Sequence, residues 1–255
     1  MTRLQPSAQE PTAEQRFDVP FQYEKGFSDK QGINLVGVLM ATKPTSRWRI
    51  VIAHYDHLGK QGSRVFHGAD DNASGIAAML QLASRAKWLG QTNAPEQANS
   101  NLMFIASDAE EPGLFGSKAL VPLLLQHISP RYIELAINLD MVGHPSRPYA
   151  IFLDGTRRFT KIATIMPKLS QNNNLCIRLS HPKPMGRDNK RVDWLRASDH
   201  YAFHEANLPW LYFGVPPHPQ YHTPDDTSDR IDFDFLAAVS ESAFELITIN
   251  QKYLQ

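Results

Sequence analysis

The sequence predicts an α/β fold, a three-layer α/β/α sandwich around a mixed, mostly parallel β-sheet. Short continuous apolar runs alternate with stretches of helical periodicity, the pattern of strands buried on both faces and joined through helices. Each such run stops just before a residue able to bind metal, and an open α/β sheet builds its site at the carboxyl ends of its strands. The length, 255 residues, suits one large core better than two small ones.

Taken in order, residues 17–23 and 33–41 read as strands, with Asp29 and Gly32 as turn material between them. Residues 49–53 form a short apolar strand that runs into His54. Ile76, Met79, Leu80 and Ala83 follow i, i+3, i+4, i+7 spacing, with Gly90 as the terminator. Residues 91–100 read as a surface loop. Asn101–Ser107 delivers Glu110 and Glu111, and Ile133–Leu139 delivers Asp140. Residues 180–196 form a long polar loop bordering the site. Trp210–Gly214 is a fourth strand, with His222 after a Pro-rich loop. Phe235, Leu236, Val239, Ala243, Leu246 and Ile247 make the stripe of a closing helix. Residues 17–255 are therefore expected to form a single domain. Residues 1–16, polar and rich in Gln, Pro, Thr and Glu, are expected to be a disordered tail.

Composition narrows the function classes. Lys plus Arg and Asp plus Glu both number 26, so no net field favours nucleic acid or an anionic membrane. Cys176 is the sole cysteine, which precludes an internal disulfide. No apolar run approaches the ~20 residues that span a bilayer, and the first residues lack the apolar core of a signal peptide.

The chemistry sits in five short blocks. Two histidines and several carboxylates, with no cysteine among them, suit two zinc-like ions. Asp56, two residues after His54 on an extended segment, can reach the ring nitrogen that His54 does not give to metal. Asp71 lies in a segment dense with Asp, Asn, Ser and Gly. Such a segment serves turn and cap chemistry, yet also offers the adjacent aspartates that a bridging carboxylate requires. Glu110 and Glu111, neighbours on an extended segment, point opposite ways, so one can bind metal while the other takes a proton from water. Asp140 would be a costly charge at the end of an apolar strand without a partner. Phe115, Met141, Met185, Trp194, Tyr201 and Phe213 are candidates for the walls of a substrate pocket.

Six segments carry a resemblance: His54-Tyr-Asp-His-Leu-Gly, Gly68-Ala-Asp-Asp-Asn-Ala-Ser-Gly, Asp108-Ala-Glu-Glu-Pro-Gly-Leu-Phe-Gly-Ser, Asn138-Leu-Asp-Met-Val-Gly, Ser198-Asp-His and Tyr221-His-Thr-Pro-Asp-Asp. In order and spacing, over roughly residues 30 to 250, they resemble the M28 family of zinc metallopeptidases. The resemblance implies two Zn²⁺ (another divalent first-row metal being possible) and hydrolysis of the N-terminal peptide bond of peptides with a free N-terminus. It implies that Asp71 bridges the ions, that His54 and Asp140 complete one shell, and that Glu111 and His222 complete the other. Glu110 would be the general base, Asp56 and Asp199 would support the ligands, and the Asp71–Asn72 peptide bond would be cis. It also favours a periplasmic or secreted location if a leader was removed. The alternatives are glutaminyl cyclase-type acyl transfer, a carboxypeptidase or other amidohydrolase on the same scaffold, and a non-catalytic binding domain. Intact ligands for both ions speak against the cyclase, which needs one metal, and against the binding domain, which would have lost ligands.

Overall fold

A computed structural model describes residues 14–25, 28–91, 99–180 and 193–254. Alternating residues at the start of the chain form a long hairpin, in which β1 (Glu14–Lys25) pairs antiparallel with β2 (Ser28–Leu39) along its whole length. Asp29 and Gly32 therefore lie inside β2 and not in a turn. Gly32 is accommodated there because it faces Phe21, whose ring fills the space a Cβ would need. Of the expected tail, residues 1–13 lie outside the described residues, while Glu14, Gln15 and Arg16 already belong to β1.

The continuous apolar runs make the centre of the sheet. β3 (Trp48–His54) shows how: Ile50 and Ile52 enter the core on one face, and Val51 and Ala53 the core on the other. A small separate hairpin follows, β4 (Lys60–Gln61) with β5 (Arg64–Val65), and then an irregular turn, Ala69–Ser74, leads into α1 (Gly75–Gln91). The chain continues through β6 (Asn101–Ser107), α2 (Phe115–His127), β7 (Ile133–Leu139), β8 (Ala150–Asp154), α3 (Ile162–Asn172), β9 (Cys176–Arg178), α4 (His200–Glu205), β10 (Trp210–Gly214) and α5 (Phe233–Thr248). The sheet has eight strands in the order β1-β2-β6-β3-β7-β10-β8-β9. Its four central strands, β6, β3, β7 and β10, are mutually parallel, and β2 on one side and β8 on the other join them antiparallel.

Helices cover both faces. Residues of α1, α3 and α5 pack on one core, and those of α2 and α4 on the other. α1 runs through Gly90 to Gln91, so that glycine does not end it. Of the loop expected over 91–100, residues 92–98 lie outside the described residues. So do residues 181–192 of the loop expected over 180–196, where Trp194–Arg196 makes one 3-10 turn. Among the described residues no helix is long and apolar enough to cross a membrane.

Candidate metal centre

Because β6, β3, β7 and β10 are parallel, their carboxyl ends share one rim, and the candidate residues gather there. His54 ends β3, Asp140 follows β7, Glu110 and Glu111 follow β6, and His222 lies beyond β10. Asp71 comes from the turn before α1. Three of these loops pass through non-glycine residues with positive φ: Ala109 (53°), Met141 (56°) and His222 (54°). Side chains seldom tolerate that conformation, and it collects where a loop must aim a group at a site.

Asp71 stands between two groups. Its Oδ1 is 3.2 Å from His54 Nε2, which is itself 3.5 Å from Asp140 Oδ1. Its Oδ2 is 3.0 Å from His222 Nε2, which is 3.1 Å from Glu111 Oε2. His57 joins the second group, with Nδ1 2.8 Å from Glu111 Oε1. His54 Nε2, Asp140 Oδ1, Glu111 Oε1 and His222 Nε2 are all buried without a hydrogen-bond partner, as are both ring nitrogens of His57. Buried polar atoms are rarely left so, and here they converge in two sets of nitrogen and carboxylate donors. Such donors fit zinc.

The electrostatics of the ion-free cluster follow from this crowding. Burial alone would raise the Asp71 carboxyl, but the adjacent imidazoles of His222 and His54 hold it well below the usual carboxylate range. Burial likewise disfavours charge on His54 and His222, and the surrounding carboxylates overcome it. His54 is pushed well above its ordinary value, and His222 up to about 10. Glu110 shifts far upward, first through burial and then through Asp140, Asp199 and Asp71, against an opposing pull from His54.

The surrounding contacts add to one expectation. Asp56 aims its carboxylate at the backbone of the glutamate pair, accepting from Glu110 N at 3.0 Å and Glu111 N at 3.2 Å. His54 Nδ1 lies 3.1 Å from the Asp56 backbone carbonyl and 3.6 Å from that carboxylate. Carbonyl and side chain of the same residue therefore both face the ring nitrogen that His54 turns away from Asp71. Asp199 is fully buried and accepts a hydrogen bond from Ser107 Oγ at the end of β6.

Asp226, the last residue of the His222 segment, accepts from Asp70 N (2.9 Å) and Asp71 N (3.1 Å) and so holds the Asp71 turn. Asn72 ties the same turn to β7. Its Nδ2 donates to Leu139 O, and its Oδ1 accepts from Gly75 N and Met141 N. Gly75 is required there, since a Cβ would stand 2.3 Å from Asn72 Oδ1 and 2.4 Å from Leu139 O. The Asp71–Asn72 peptide bond is cis. Asp70 faces away from Asp71's partners, accepting from Gly143 N at 2.6 Å and lying 3.1 Å from His218 Nε2. His218 stacks on His144 with centroids 4.2 Å apart and planes 14° apart. Rings so nearly parallel do not converge their in-plane lone pairs, so Asp70, His144 and His218 serve here as packing and loop support.

His57 and Asp226 stand inside the quoted segments but receive no role there, and His144 and His218 receive none either. Their partners lie across distances that spacing along the chain does not encode. Of the candidate pocket walls, Phe213 is wholly inside the core and Met185 lies outside the described residues.

The family model for peptidase family M28 matches residues 34–247. The chain belongs to this family. Among M28-like relatives, it is 30% identical over 241 residues to aminopeptidase YwaD of Bacillus subtilis, covering 88% of this chain and 45% of that protein. It is 26% identical to the glutaminyl-peptide cyclotransferase of Boiga irregularis, covering 83% of this chain and 64% of that one. The chain thus spans less than two thirds of the length of either. Its fold resembles that of BSAP, a zinc aminopeptidase from Bacillus subtilis, with a TM-score of 0.65 at 24% identity, covering 89% of this chain and 53% of that one.

Proposed function

We propose that this M28 chain is a two-zinc aminopeptidase that hydrolyses the N-terminal peptide bond of peptides. The observation that carries the reading is Asp71, one oxygen toward His54 and Asp140 and the other toward His222 and Glu111. His54, Asp71 and Asp140 would hold one ion, and Asp71, Glu111 and His222 the other, with His57 behind Glu111. Bound zinc supplies Lewis acidity and lowers the pKa of water toward neutrality. Glu110 takes the proton of the attacking water and hands it to the departing amine. The excess of carboxylates at the rim suits a substrate's charged α-amino group.

The test is a panel of aminoacyl anilides and their N-acetylated forms, with metal analysis of the same protein. The expected outcome is close to two zinc ions per chain and cleavage of the free amines alone. Blocked substrates cut as fast as free ones would end the aminopeptidase reading. The similarity to glutaminyl-peptide cyclotransferases adds one arm, peptides with N-terminal glutamine. Ring closure without shortening would transfer the assignment to cyclisation.

A further inference from the structure

The β1–β2 hairpin outruns the sheet it joins. β2 pairs with β6 only over Leu35 to Leu39, and β6 ends at Ser107, so residues 29–33 continue past its carboxyl end by about 17 Å, on the side of the metal centre. This projection stands on the turn that carries Glu110 and Glu111. Ile33 N donates to Asp108 Oδ2 at 2.9 Å, and Tyr55 Oη donates to Ile33 O at 2.8 Å. Tyr23 stacks on Phe115 at 4.6 Å, and Phe21 lies 5.8 Å from Tyr23. The hairpin is therefore braced against the site.

Its two edges differ. Ile33 turns its N–H and C=O away from β1, so Ile33 and Pro20 form a non-hydrogen-bonded pair, as proline without an N–H requires. The alternation gives Gln31, opposite Gln22, and Asp29, opposite Glu24, the same orientation. The outer edge is blunted by Pro20 and flanked by charged Arg16 and Asp18. The inner edge, at Asp29 and Gln31, is exposed, and those backbone groups have no partner among the described residues.

We propose that this inner edge binds the downstream part of an extended peptide substrate as an added strand, pairing with the backbone of Gln31 and Asp29. The inference rests on the peptidase reading above. Glu110 and Glu111 are partly exposed and stand on the turn that braces the hairpin, so a peptide whose amino end lies at the centre can leave on that side. Main-chain pairing adds affinity without demanding particular side chains. It would engage residues from roughly the third beyond the cleaved bond onward.

The experiment compares kcat/KM of the zinc-loaded protein for an aminoacyl anilide, a dipeptide and a hexapeptide sharing the same first residue. The hexapeptide should be favoured about tenfold over the dipeptide, the size of one or two net backbone hydrogen bonds. An N-methyl scan of its backbone should remove that gain at alternate positions. Gln31→Pro should also remove it while leaving anilide hydrolysis and zinc content unchanged. If that variant misfolds, the N-methyl scan on the unaltered protein decides alone. Equal values for dipeptide and hexapeptide, or a gain indifferent to N-methylation, overturn the hairpin inference and leave the peptidase reading standing. A protein inactive on anilides and peptides alike sinks both.

Discussion

Asp71 gains its position from what surrounds it rather than from its own chemistry. Two imidazoles share its two oxygens, and in the ion-free protein both imidazoles keep their protons past neutrality, His222 up to about 10. Zinc must displace such protons from the imidazoles it takes as ligands, so zinc uptake at pH 7.5 should release protons and tighten as the pH rises. Calorimetry in two buffers of different ionisation enthalpy measures this, and zinc uptake without proton release would contradict it. The sign for stability is the reverse. The raised His222 value means that its pairing stabilises the ion-free fold fully below pH 6.5 and is lost as the pH climbs through about 10. In the proposed reaction Glu110 moves the proton while Glu111 holds metal. Glu110→Gln should keep both ions yet lower kcat by ~10²–10⁴. Metal content measured beside turnover separates a lost base from a lost ligand, and retained activity removes the base assignment.

At the scale of elements, the centre depends on loops holding one another. The Asp71 turn is fastened by Asp226 from the His222 loop and by Asn72 to the end of β7, so three loops are set together. Asp226→Ala leaves two buried amides without an acceptor. It should cost about 2–3 kcal/mol in urea denaturation and weaken zinc affinity by ~10–100-fold. A chelator competition curve unchanged from wild type would show that the turn holds itself. Several elements escape the sequence for physical reasons. α2 and α3 carry prolines, Pro122 and Pro167, inside their helical stretches, and α4 has only six residues. β9 has three residues, too few for an alternating pattern to emerge. The two strands of the hairpin are legible in the sequence, and only their full length escapes, because Gly32 signals a turn unless a cross-strand ring covers it.

Across the whole molecule, the end of the sheet opposite the metal centre is locked by a buried arginine. Arg49, 1% exposed near the start of β3, donates to Glu134 Oε2 at 2.9 Å and to the carbonyls of Ile247 and Ile249, where α5 ends. Burial lowers its pKa, and Glu134 counters that. Arg49→Ala removes the nearest cation from Glu134, which keeps Ser100 at 2.8 Å and Arg47 at 3.5 Å, and uncaps α5. The cost should be about 2–4 kcal/mol, or about 10 °C in Tm. Zinc affinity should not change, because the strand's length separates Arg49 from the centre. A calorimetric scan with and without zinc checks both statements, and loss of zinc binding would mean that the two ends are coupled.

The sequence by itself determined the α/β class, the central parallel strands and the residues that gather at their carboxyl ends. Those are local facts: an apolar run of strand length needs burial on both faces, and a charge at its end needs a partner. Only the tertiary structure decided that Asp56 holds the glutamate backbone as well as facing His54, that His57 and Asp226 belong to the site, and that the first hairpin stands beside it. Each of these depends on which loops the sheet order brings side by side, and spacing along a chain does not encode a distance across a sheet.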